Sequence, residues 1–311
     1  MTQFDILVIG AGAAGMTAAI YTARKKLKTA VITLDIGGQT NLTNHIENYP
    51  GYEEMSGHQL MKRFEREAIK FGTQFIFGKV EQIEKKGPQK FRVLLTNKEI
   101  YTARSIIIAI GKVPRELGVP GEKEFIGRGI SLCSAQDIDS CIDKKVLIVG
   151  GGNAALEAAR DVAKVAQHVT IMHRRDSFRA DEVTIEEVKK KTNITYELNA
   201  EVQEIVGKGH VEKVTILQKE KRKEIPTEII FIEIGYVTAT KFLSNVLELN
   251  KVGEIIIDER CKTSQEGIFA CGDATTIPFK QTVISAGEGA KAALEAYLYL
   301  SGGKGIALDW A

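Results

Sequence analysis

The sequence predicts an α/β chain containing two Rossmann-like dinucleotide-binding units. Three observations carry that prediction. There are two glycine loops, each set between an apolar strand and a helix. A further strand follows each helix. The residues that end those two strands carry opposite charge.

Ile6-Leu-Val-Ile9 is short, wholly apolar and led by a β-branched residue, as in a buried parallel strand. Gly10-Ala-Gly12-Ala-Ala14-Gly15 follows at once. Met16 to Lys26 then reads as a helix, and Thr29 to Leu34 as the next strand, with Asp35 at its end. Gly10 allows a tight turn, Gly12 lets the backbone approach a pyrophosphate, and Gly15 lets the helix pack close to the sheet. The helix N-terminus offers free N–H groups and a partial positive charge to phosphates. A lone GxGxxG is a common turn, but here strand, helix and acidic end all stand in order.

The pattern repeats in the middle of the chain. Lys145-Val-Leu-Ile-Val149 is the strand, Gly150-Gly-Gly152-Asn153-Ala154-Ala155 the loop, and Leu156 to Ala166 the helix. His168 to Met172 is the next strand, and it ends in His173-Arg174-Arg175-Asp-Ser-Phe-Arg179. An acidic residue at this place pairs with a ribose 2′-hydroxyl, whereas arginines accommodate a 2′-phosphate through bidentate, charge-assisted bonds. Asp35 therefore suits an unphosphorylated ribose and the arginines suit NADPH. Two such sites imply one tightly held cofactor and one exchanging cofactor, with hydride passing between them.

The chain has 311 residues, which at roughly 150 per domain suggests about two domains. Lys and Arg total 42 against 40 Asp and Glu, a net charge of +2 that gives no support to a nucleic-acid partner. The four cysteines, at 133, 141, 261 and 271, form no CxxC pair and no disulfide framework, and no metal site is expected. The start lacks a signal-peptide pattern and no run approaches a membrane span, so a cytoplasmic protein without a membrane partner is expected.

Between the loops, Lys79–Ile83, Phe91–Leu95 and Glu99–Tyr101 read as a meander, followed by a buried strand from Arg104 to Ile110. In the second half, Ile194–Leu198, Glu201–Val206, Val211–Leu217 and Ile229–Ile234 repeat that arrangement. Near the end, the strand Gly267 to Cys271 leads to Gly272-Asp273, and Val283 to about Leu300 reads as a helix. Asp273 is placed to bond a ribityl hydroxyl; its alternative is an ordinary N-cap. Cys261 and Cys271 flank that strand as small buried residues.

Taken together, the chain resembles the low-molecular-weight thioredoxin reductases over nearly its whole length. The marks are the two loops, Gly37-Gly-Gln39, Glu47-Asn48-Tyr-Pro-Gly51, His173 to Ala180, Cys271-Gly-Asp273 and Lys280-Gln281. The resemblance implies a three-layer FAD/NAD(P)-binding fold in which the second domain is inserted into the first. Residues 1–112 and 241–311 would bind FAD, and 113–240 NADPH. It implies a homodimer. It implies FAD contacts at Gly10, Gly12, Ala14, Gly15, Asp35, Gln39, Asn48, Val80, Asp273 and Gln281. NADPH would be held by Gly150, Gly152, Asn153, Ala154, Arg174, Arg175 and Arg179.

The departure is at the redox centre. The family carries CxxC followed by Asp, with the first cysteine 17 residues before the second glycine loop. Cys133 holds that place and Asp137 matches the acid, but Gln136 replaces the cysteine that touches the flavin. An amide cannot act as a thiolate nucleophile. Cys133 and Asp137 are thus catalytic candidates without their partner. A second departure is Tyr236-Val-Thr-Ala-Thr240, where the family has a His-x-Pro-Asn stretch. Three readings follow. The first is a flavoenzyme passing electrons from flavin to a quinone, oxygen or small carrier. The others are a disulfide reductase pairing Cys133 with another cysteine such as Cys141, and a nucleotide-sensing flavoprotein.

Overall fold

A computed structural model describes residues 2–43, 46–131 and 137–304. The chain divides into two compact units, 1–113 with 237–311, and 114–236.

In the first unit five parallel strands lie side by side in the order Gln74–Phe77, Thr29–Thr33, Thr2–Ile9, Ile100–Ile108, Ile268–Ala270. The strands Lys90–Leu95 and Val80–Gly87 continue the sheet antiparallel. Alternate residues of a strand point to opposite faces, and here each face meets a different partner. Ile6 and Val8 join a core with the helices Ala13–Arg24, Gly57–Lys70 and Thr282–Ser301. Leu7 and Ile9 join another with Ile83, Phe91, Val93, Leu243 and Ile255. Each such buried aliphatic side chain contributes roughly 1.5–3 kcal/mol over leaving it exposed.

The second unit repeats these layers. Its parallel sheet runs Ile194–Leu198, His168–His173, Lys145–Gly150, Ile229–Glu233, Ile130–Ser131. Val146 and Ile148 pack against the helix Asn153–Val162, while Leu147 and Val149 pack against Val202, Val214 and Ile225 of a three-stranded antiparallel sheet. That sheet comprises Ala200–Gly207, Val211–Gln218 and Lys221–Pro226. The last strand is Lys- and Arg-rich and exposed, a charged edge of the kind that discourages pairing with other chains.

Several boundaries differ from the sequence reading. Both loop helices begin three residues earlier than expected, at Ala13 and Asn153, because Gly12 and Gly152 are themselves the N-caps. The loop is the helix's first turn. Glu99–Tyr101 and Arg104–Ile110 are one strand, Ile100–Ile108, whose first part pairs with Lys90–Leu95 while its whole length follows Thr2–Ile9. The chain leaves the second unit at Tyr236 rather than at 240. The hydroxyls of Thr238 and Thr240 both donate to the Gly253 carbonyl, at 2.7 and 2.6 Å, which holds this stretch to the first unit. The helix Gly57–Lys70, not assigned from sequence, opens with a capping box in which Ser56 and Gln59 bond reciprocally. No described helix is long and apolar enough to cross a membrane.

Gly289, inside the C-terminal helix, lies close against Ala14, in the first turn of the loop helix. A Cβ on residue 289 would collide with the Ala14 carbonyl oxygen. Gly289→Ala should therefore lose about 1–3 kcal/mol, the cost of overpacking, despite alanine's better helix propensity. Urea unfolding checks this; an unchanged midpoint would show that the helices do not meet so closely.

Candidate functional site

In the first unit the residues of the glycine loop have different reasons to be glycine. Gly10 has φ +105°, and a side chain there would strike the Ala109 carbonyl. A side chain at Gly15 would strike the Gly10 carbonyl. Both are required by the fold. Gly12 is not: its φ is −77°, and a Cβ would meet only the Gly37 oxygen, at 4.0 Å. The helix behind it has no side-chain cap, so its first N–H groups are left for another partner. A bare glycine in front of an uncapped helix fits the diphosphate of a dinucleotide.

Several of the other candidates are tied to this loop or to one another. Gly37 N–H donates to the Ala11 carbonyl at 2.8 Å, tying the Asp35–Gly38 turn to it. Asp35 is exposed and accepts the Gly38 N–H on Oδ1 at 3.1 Å, which leaves Oδ2 for a ribose hydroxyl. Gln39 Nε2 donates to the Lys112 carbonyl at 2.5 Å. Asn48 Nδ2 donates to Gln281 Oε1 at 3.2 Å, joining segments 233 positions apart. Asp273 follows Gly272, whose φ is +76°, and accepts the Ser285 hydroxyl on Oδ1 at 3.0 Å. Ala14 is buried, and Val80 is buried at the start of its strand.

In the second unit Gly152 is the bare position: nothing lies within 4 Å of a Cβ there, and the helix behind it is also uncapped. Gly150 is held by the fold, since a side chain would strike the Glu233 carbonyl. Gly151 is held by the ring of His173, 2.5 Å from where its Cβ would stand. The basic turn is pinned to the loop by two contacts. Arg179 N–H donates to the Gly151 carbonyl at 2.7 Å, and Asp181 N–H donates to Asn153 Oδ1 at 2.8 Å. Asn153 Nδ2 in turn donates to Asp181 at 2.9 Å, so its amide serves as a clamp on the turn. Ala154 is exposed on the first turn of the helix.

Arg174, Arg175 and Arg179 are exposed, and none forms an ion pair with a described carboxylate. Beside them, the buried His173 Nε2 has no hydrogen-bond partner. Burial, and then the three arginines, push the His173 pKa down, so the ring is neutral near pH 7. Three exposed guanidinium groups without carboxylate partners fit a ligand carrying a phosphate.

The redox candidates divide. Cys133 and Gln136 lie outside the described residues. Asp137 is exposed and accepts the Ser131 hydroxyl at 2.5 Å. Cys141 is wholly buried, its thiol within 3.5 Å of the Asp137 carbonyl, and burial pushes its pKa up. Cys261 and Cys271 are also wholly buried, and burial pushes both thiols far above the usual range. Among the described residues no group of three or more His, Cys, Asp or Glu side chains is arranged to hold a metal ion.

Sequence reading passed over Glu233, at the end of the strand paired with Gly150. Its signal was a lone charge in the apolar run Ile229–Ile234. Burial pushes its carboxyl from 4.5 up to about 7. A raised folded-state pKa contributes stability that is present below the unfolded value and is lost as pH rises through the folded one. Glu233→Gln, neutral throughout, should match wild type near pH 4 and exceed it at pH 8. Urea midpoints at the two pH values test this, and an equal difference at both would show that the carboxyl is solvated.

Residues 4–293 match the family model described as pyridine nucleotide-disulphide oxidoreductase. The chain is 37% identical over 307 residues to a thioredoxin reductase of Peptoclostridium acidaminophilum, covering 96% of this chain and 97% of that protein. It is 36% identical over 300 residues to an NADH dehydrogenase of Bacillus subtilis, covering 96% of this chain and 58% of that longer protein. The crystal structure of Lactococcus lactis thioredoxin reductase superposes with a TM-score of 0.81 at 35% identity, covering 96% of this chain and 99% of that one. The chain belongs to the pyridine nucleotide-disulphide oxidoreductase family and is a thioredoxin reductase-like, FAD-dependent oxidoreductase of pyridine nucleotides.

Proposed function

We propose that this protein oxidises NADPH and releases the electrons from its flavin directly to an acceptor, a quinone, dioxygen or a small electron carrier, with no dithiol relay. One observation carries the reading. Gln136 stands at the flavin-proximal cysteine position, and every described cysteine is buried with its thiol pKa raised. A thiolate is the nucleophile in disulfide chemistry, and these positions supply none near neutral pH. Cys141 is enclosed in a core that includes Val146 and Leu156. With a quinone the balance is one NADPH and one proton consumed per quinone, giving NADP⁺ and hydroquinone.

The bound cofactors supply hydride donation and a two-electron store; the protein supplies binding and orientation. In the first unit the N–H groups behind Gly12 hold a diphosphate, and Asp35 accepts from a ribose hydroxyl. Asp273 and the Asn48–Gln281 pair lie among the residues that receive the flavin portion. In the second unit the N–H groups behind Gly152 hold a diphosphate, and Arg174, Arg175 and Arg179 engage the 2′-phosphate. The His173 ring, packed on Gly151, holds the arginine turn beside the loop. The assembly is read as a homodimer, without nucleic-acid or membrane partners.

Two outcomes are expected. Removing one of Arg174, Arg175 or Arg179 should weaken NADPH binding about tenfold to a hundredfold, the loss of a charge-assisted contact of roughly 1.5–3 kcal/mol. NADH binding should hardly change; equal losses for both would make these arginines structural. In the second test, anaerobic NADPH should bleach the flavin, and stopped-flow mixing with a panel of acceptors should identify which ones reoxidise it. Cys133→Ser should leave quinone reduction within about twofold. Loss of turnover in both Cys133→Ser and Cys141→Ser, with flavin still reducible, would establish a disulfide route instead.

A further inference from the structure

Lys112, Glu254 and Lys280 form a half-buried charge cluster in the first unit. Glu254 Oε1 accepts from Lys112 Nζ at 3.1 Å and lies 3.5 Å from Lys280 Nζ. Glu254 Oε2 accepts from Asn250 Nδ2 at 2.9 Å. Lys280 Nζ also donates to the Thr275 carbonyl at 2.5 Å. The three side chains are 24%, 17% and 24% exposed, in the order Lys112, Glu254, Lys280.

The cluster holds two ammonium groups and one carboxylate. Burial opposes ionisation of Glu254, yet the bonds from Asn250 and Lys112 and the field of both lysines outweigh it and hold the carboxyl below its usual range. Burial lowers the Lys280 pKa; attraction to Glu254 offsets part of this, and repulsion from Lys112 adds to it. Asp273, the remaining carboxylate acting on Lys280, does so more weakly than Glu254 or Lys112. At contact distance one positive charge is therefore in excess, with Asp273 a weaker, more distant negative charge.

That excess sits among the flavin-site candidates. The Lys112 carbonyl is the acceptor for Gln39, and Lys280 immediately precedes Gln281, the partner of Asn48. Lys280 belongs to the Lys280–Gln281 motif, but Lys112 and Glu254 belong to none of the motifs read from the sequence. We propose that Lys112, Lys280 and Glu254 set the reduction potential of the flavin, the two lysines raising it and Glu254 holding it down. The proposal rests on FAD occupying the first unit, the family's cofactor assignment. Two-electron reduction with uptake of one proton adds one negative charge. A nearby positive charge in a partly water-excluded setting favours that change, and a negative one opposes it.

The test uses FAD-loaded full-length protein in dye-equilibrated anaerobic titrations, which read the potential rather than turnover. Lys112→Met should lower the potential and Glu254→Gln should raise it. Each should change the reduction equilibrium by about tenfold, which is about 30 mV for a two-electron couple. Lys112→Arg should stay near wild type. A merely structural role would move Lys112→Met and Glu254→Gln in the same direction, or move melting temperature alone. Either result, or shifts under twofold at full FAD loading, would overturn the proposal. Should Lys112→Met not retain FAD, Glu254→Gln decides alone, and a potential that does not rise overturns it. Wild-type protein purified without FAD would remove the premise before any potential is read.

Discussion

A side chain at position 15 would begin inside the carbonyl oxygen of Gly10, and much of the first unit follows from that contact. Because residue 15 is glycine, the loop helix can start at Ala13, directly over the end of the Thr2–Ile9 strand. Its first turn is then pressed against the C-terminal helix, where Gly289 again removes the side chain that would intrude. A glycine inside a helix costs roughly 0.5–1 kcal/mol relative to alanine. Here that cost is offset by the burial of Ala14, Ala286 and Ala293 in one core. The same closeness leaves the helix N–H groups uncapped and pointing past Gly12, the one loop glycine that neither φ nor crowding demands. The packing constraint and the binding surface are thus made by the same turn of chain.

The second unit solves the packing problem with different residues. Its third loop position is Ala155; Gly150 is crowded by the Glu233 carbonyl as Gly10 is by that of Ala109, and Gly151 is crowded by the His173 ring. His173 thereby links the loop to the arginine turn. Its position shapes the loop, while the guanidinium groups that follow it in the turn are exposed. In the proposed reading, the contrast between Asp35, which keeps one carboxylate oxygen unengaged, and three arginines without carboxylate partners separates the two nucleotide preferences.

Periodicity and glycine spacing made the strand–loop–helix units legible, because a buried parallel strand and a phosphate turn each have few sequence solutions. The helix starts were placed late because the glycines of the loop look like a breaker while acting as caps. The helix Gly57–Lys70 was legible and was missed: Ser56 and Gln59 carry a capping signal, and Leu60, Met61, Phe64 and Ala68 stand at helical spacing. The Lys221–Pro226 strand was invisible for a different reason: an edge strand is held by its backbone, so its side chains can all be charged. Asn48 with Gln281, and Lys112 with Glu254 and Lys280, are pairings between distant segments. No local pattern encodes them, since they depend on which loops the sheet brings to one end.

The cysteines carry the argument furthest. A family that moves electrons through a dithiol needs one thiol at the flavin and another to resolve it. Here Gln136 holds the second cysteine's place in the sequence motif, and Cys141, Cys261 and Cys271 are enclosed by cores that penalise the thiolate. Burial of this kind preserves a cysteine as a small apolar residue and removes it from exchange chemistry. In the proposed reading the relay is lost, yet the rest of the apparatus is not redundant. The bare glycines, the uncapped helices and the unpaired arginines still match two nucleotides. In the proposed reading, selection of the acceptor then passes from the geometry of a disulfide to the energy of the flavin electrons. Lys112 and Glu254 are the charged residues, outside the family motifs, that stand among the flavin-site segments where that energy is set.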